Sequence, residues 1–169
     1  MINEVNGLPA HVLLVHAVIV LIPLAAFLTV LAAVWPAARR RLGIITPLVA
    51  LAALIAVPIT TNAGQWLLAR VHQTQLIEEH VQLGDTMLWF AIGLFVAALI
   101  AWGLPTAIVR STGRPPAPWV GVVIAVLAVA LSGAATVQVV RVAEAGSRAV
   151  WTGSFCEQPV TAQGTCPQS

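Results

Sequence analysis

Four stretches of this chain, about 10–35, 42–61, 83–109 and 119–142, are mostly apolar over roughly 20 residues or more. At 1.5 Å of rise per residue, about 20 residues span the roughly 30 Å hydrocarbon core of a bilayer. Inside lipid every backbone N–H and C=O must find its partner within the protein, so such stretches fold as helices. Composition agrees. Of 169 residues, 59% are hydrophobic and 8% charged, whereas a soluble domain uses about 25% charged residues to clothe its surface. The expected fold is an all-α membrane protein with four transmembrane helices in a bundle. It lies between a short N-terminal segment (1–9) and a polar tail (151–169).

Charge placement gives the expected orientation. The connection after the first span holds Arg39, Arg40 and Arg41, and the one after the third holds Arg110 and Arg114. Arginine in short loops marks the cytoplasmic side. Both termini and the 62–82 connection then lie outside, in a multi-pass protein of the cell membrane. All six acids and all four histidines (His11, His16, His72, His80) fall on or at the edge of that outer side. The N-terminus has no positive region before its apolar run, which argues against a cleaved signal peptide. Cys156 and Cys166 lie in the outer tail. A disulfide between them would persist in an oxidising compartment; the alternative is two free thiols.

The chain also resembles itself. His11-Val12-x-Leu14 returns 69 residues later as His80-Val81-x-Leu83, and the same gap-free register pairs Ala32 with Ala101, Pro36 with Pro105 and Arg41 with Arg110. Further along it pairs Pro47 with Pro116, 55–57 with 124–126, and Gly64 with Gly133. The spacing suggests two helical hairpins in parallel repeat, about a pseudo-twofold axis along the membrane normal. His11 and His80 then share one depth, and His16 corresponds to Asp85. Chance matches are common in a chain so rich in Ala, Val and Leu. Gly84, Gly93, Gly103, Gly121 and Gly133 are the glycines expected to let helices approach closely.

These residues define the candidate site. Two imidazoles on different helices at one depth can supply both axial ligands of a haem. With His16 and Asp85 they could instead hold a divalent metal. A spacing of five rotates His16 about 140° away from His11 around a helix, which disfavours joint chelation. Glu78, Glu79 and Asp85 surround His80 in sequence and would orient its ring. His16 alone is a candidate by virtue of its depth in the first span. The plain alternative is solvated or carbonyl-bonded histidines with no cofactor, and that is the favoured single outcome. No CxxCH motif is present, so covalent haem is excluded. No Ser-His-Asp set, phosphate loop or HExxH occurs, and the small net charge of +2 gives no sign of nucleic-acid binding.

The segment His11-Val-Leu-Leu-Val-His16-Ala-Val-Ile resembles the His-Pro-x-x-Val-His-Phe-Pro-Ile opening of a family of bacterial membrane proteins of unknown function. His80-Val-Gln-Leu-Gly-Asp85-Thr-Met-Leu-Trp resembles the actinobacterial form of its third helix, and Gly146-Ser-Arg-Ala-Val-Trp151 the end of its fourth. The likeness covers about 8–152. Some relatives are joined to Rieske or c-type cytochrome domains, which implies respiratory or redox partners and favours haem b. Val12 and Ala17-Val18 replace the family's prolines, and Ala143-Glu144 replaces a Gly-His pair. The expected activity is electron transfer at a non-covalent haem or metal near the outer face. The alternative is a non-catalytic accessory or assembly subunit of a membrane complex.

Overall fold

The computed structural model describes residues 3–154. The chain opens with a small antiparallel hairpin, β1 (Glu4–Val5) and β2 (Leu8–Pro9). Asn6 and Gly7 turn it with φ of 51° and 77°. Two successive positive φ angles belong to the tight hairpin turn that an Asn-Gly pair favours. The Ala10 N–H donates to the Asn3 carbonyl at 2.9 Å and ties this hairpin to the first helix.

Five helices follow: α1 (Ala10–Val34), α2 (Pro36–Leu42), α3 (Ile45–Leu68), α4 (Gln75–Thr112) and α5 (Pro118–Trp151). All but the short α2 are long and apolar enough to cross a membrane. The break before α2 has a local cause. A proline pushes the preceding residue out of the helical region, and Trp35 is extended at φ −122° and ψ 100°. Pro105, the matched residue in the second hairpin, lies inside α4 without ending it. Thr74 caps α4 by accepting the Ile77 N–H, and Gly113 ends it at φ 68°, as left-handed glycines commonly do. Both α4 and α5 outrun the apolar spans 83–109 and 119–142. Apolarity reports where lipid is, and the hydrogen-bonded helix continues past it.

The bundle is built around α1 and α4, which run in parallel and touch at its centre; α3 and α5 each pack against both. The central pair is lined with small side chains, with Ala25, Ala98 and Ala101 fully buried. In lipid, helices gain little from hydrophobic burial, so close van der Waals contact over such residues holds them together.

Burial separates the true repeat from the apparent one. In the central helices Val18, Ile22, Ala25, Thr29 and Ala32 are buried, and 69 residues on so are Met87, Ala91, Leu94, Ala98 and Ala101. In the flanking helices that offset fails. Val57 is 3% exposed, but Val126, its match in the gap-free register, is 62% exposed. An offset of 82 restores the pattern: buried Ala50, Ala53, Val57 and Ala63 correspond to buried Ser132, Ala135, Val139 and Ala145. The matches at Pro116, 124–126 and Gly133 are therefore coincidences of composition. The second hairpin is longer between Ala101 and Ala128, at the end away from the histidines. The proposed Cys156–Cys166 disulfide lies outside the described residues.

Candidate functional site

His11, near the start of α1, and His80, near the start of α4, meet across the bundle axis. Their ring centroids are 6.2 Å apart with planes at 77°. Each ring is anchored in the same way. His11 Nδ1–H donates to the Thr60 carbonyl on α3 at 3.0 Å, and His80 Nδ1–H donates to the Val142 carbonyl on α5 at 3.0 Å. A carbonyl only accepts, so Nδ1 carries the proton, and Nε2 is the free nitrogen of each neutral ring.

Glycine makes this possible. A helical carbonyl is normally screened by the side chain one turn on. Here that position is Gly64 after Thr60 and Gly146 after Val142. A Cβ at Gly64 would stand 2.9 Å from His11 Nδ1, and one at Gly146 would stand 3.0 Å from His80 Cε1. The first distance is too short for a real Cβ and the second is tight enough that the ring would have to give by a few tenths of an ångström, so each ring lies against the face its glycine leaves open. None of the five glycines expected to mediate close approach does this. Gly93 meets Leu131 at an ordinary 3.5 Å, and nothing lies within 4 Å of Gly84, Gly103, Gly121 or Gly133. Sequence reasoning matched Gly64 with Gly133 and so missed Gly146. The signal was present one turn beyond Val142, but only a shift of 13 residues in register reveals it.

The four-residue metal set does not assemble. His16 is exposed, and its Nδ1–H donates to Val12 of its own helix at 2.6 Å. Asp85 is also exposed. No group of three or more His, Cys, Asp or Glu able to hold a metal occurs among the described residues. The carboxylates flanking His80 in sequence do not orient it: its ring partner is the Val142 carbonyl, and Glu78 instead accepts from Gln82 at 3.5 Å. His72 is exposed.

Just beyond the pair, Gln138 is buried at 5% exposure. Its amide donates to Thr86 Oγ1 at 2.8 Å and to the Leu83 carbonyl at 3.2 Å, joining α5 to α4. Thr86 donates onward to the same carbonyl at 2.8 Å. On the exposed face of α5, Arg148 pairs with Glu144 at 2.8 Å, four residues apart on the helix. Arg70 stacks over Trp66 at 3.8 Å.

Fold and site together define a multi-pass helical membrane protein with a paired-histidine end. The sequence model of a family described as predicted membrane protein (DUF2231) matches residues 7–158, and the chain belongs to that family. No curated protein and no solved structure matches the chain.

Proposed function

We propose that His11 and His80 are the two protein ligands of a non-covalent haem b, and that the protein passes electrons at the outer face of the cell membrane. The observation that carries this reading is the pair itself: two rings held by Nδ1, each with a free Nε2, and 6.2 Å between centroids. Each ring would offer its Nε2 to the haem iron. A bare zinc ion wants four ligands, and among the described residues no third donor joins the pair. A haem would need only side-chain ligands of the kind His11 and His80 offer. Bound there, haem supplies a one-electron carrier. The chain's part is to fix both ring orientations through the Thr60 and Val142 carbonyls, an outer contact of the kind that raises ligand basicity.

The orientation proposed with it places Arg39, Arg40, Arg41, Arg110 and Arg114 in the cytoplasm, by the arginine bias of short loops. The histidine pair then faces outward, where respiratory partners with exposed redox groups would meet it.

The test is haem and metal content of the protein purified in mild detergent. The expected result is haem iron in wild type and in His16→Ala, and its loss in His11→Ala and in His80→Ala. Equal content in all four, or none in wild type after growth with haem precursor, overturns the reading. The second outcome leaves an accessory subunit as the function.

A further inference from the structure

His16 and Asp85 are repeat partners, and the fold turns both outward. His16 lies nine residues before buried Ala25, and Asp85 nine before buried Leu94. At about 100° per residue, each is on the side of its helix opposite the core. Both lie five residues past the histidine pair, roughly 7.5 Å along the axis at 1.5 Å per residue. Because α1 and α4 are central and present their core faces to each other, these outer faces look in opposite directions. His16 is set among exposed apolar side chains, Val12 and Val20, and Asp85 stands between exposed Leu88 and Trp89 further along α4 and exposed Gln82 and Thr86 nearer its start. Asp85 makes no side-chain hydrogen bond among the described residues, and His16 uses only its Nδ1.

We infer that the His16 face of one copy docks on the Asp85 face of a second copy of this chain. An ionisable group facing lipid is costly and pairs where it can. Here a basic ring and a carboxylate stand at the same depth on parallel helices. A copy displaced sideways in the membrane, without inversion, therefore brings Nε2 of one to the carboxyl group of the other; because Nδ1–H is already given to the Val12 carbonyl, the contact holds one further proton between Nε2 and the carboxylate. The contact is heterologous, so each copy has one donor face and one acceptor face. With the faces opposed, association gives open rows rather than a closed dimer.

The experiment is cysteine cross-linking in native membranes, in a chain whose Cys156 and Cys166 are replaced by serine. Co-expressed Val20→Cys and Trp89→Cys chains, which keep His16 and Asp85 and carry their cysteines on the same two faces, should give a cross-linked dimer on oxidation, and each variant alone should give none. A chain carrying both substitutions should give a ladder of higher species. A mixture that stays monomeric, or a single variant that cross-links to itself, overturns the inference. A charge exchange supplies an independent arm, read as mass by light scattering in mild detergent. His16→Asp alone should dissociate the assembly, and His16→Asp combined with Asp85→His should restore it. A doubly exchanged chain that folds, by circular dichroism, yet stays monomeric also overturns it.

Discussion

The His80 ring lies on Gly146 as the His11 ring lies on Gly64, and in each case a Cβ would come within about 3 Å of the imidazole. Filling that space must displace the His11 ring and crowds the His80 ring by a few tenths of an ångström. Gly64→Ala and Gly146→Ala are each expected to destabilise the protein by about 1–3 kcal/mol, the usual cost of overpacking. Gly133→Ala meets nothing within 4 Å and should be neutral, or more stable by up to about 1 kcal/mol from helix propensity. Thermal unfolding in detergent compares the three directly.

The revised register has its own signature. Val57 and Val139 are buried equivalents, whereas Val126 faces outward. In lipid the transfer term of a valine-to-alanine change is small, so the cavity term dominates. Val57→Ala and Val139→Ala should each cost about 1 kcal/mol or more, and Val126→Ala should stay within about 0.5 kcal/mol. Unfolding by graded denaturing detergent measures all three. Equal losses at Val57 and Val126 would restore the gap-free register.

Gln138 and Thr86 share one interhelical bond at 2.8 Å. Such bonds average about 0.6 kcal/mol in membranes and reach about 1.7. Thr86→Val is expected to fall within that range. Gln138→Leu should cost less, because Thr86 keeps its own bond to Leu83. The same detergent titration reads both.

The Glu144–Arg148 pair is exposed on both sides. An exposed i,i+4 pair is worth about 0.3–0.5 kcal/mol. Glu144→Gln should therefore lower stability by no more than about 0.5 kcal/mol and leave haem content unchanged. A loss of haem would show that this face takes part in the site.

Much of this architecture was legible from spacing alone. The apolar stretches located four spanning helices because lipid requires such runs, and the His11–His80 match located the two rings that meet. The five-residue spacing already turned His16 about 140° from His11, which is why the compact metal set failed. Three features were hidden for physical reasons. Pro36 opens a helix and Pro105 lies inside one, and a proline is compatible with either place, so the match could not locate the break. The flanking helices changed register because extra length outside the core costs little sequence pattern. The Gly146 contact depends on that register, so it could not be read until burial fixed it. The Asn6-Gly7 pair carries an ordinary hairpin signal, but strands of two residues are too short to show an alternating pattern.

The most direct measurement is the reduced-minus-oxidised visible spectrum of the purified protein. Ligation by His11 and His80 should give a six-coordinate low-spin haem, with a sharp α band on reduction. That band should vanish in His11→Ala and in His80→Ala and persist in His16→Ala. A colourless wild-type protein, or a band unchanged when either paired histidine is removed, would contradict the assignment.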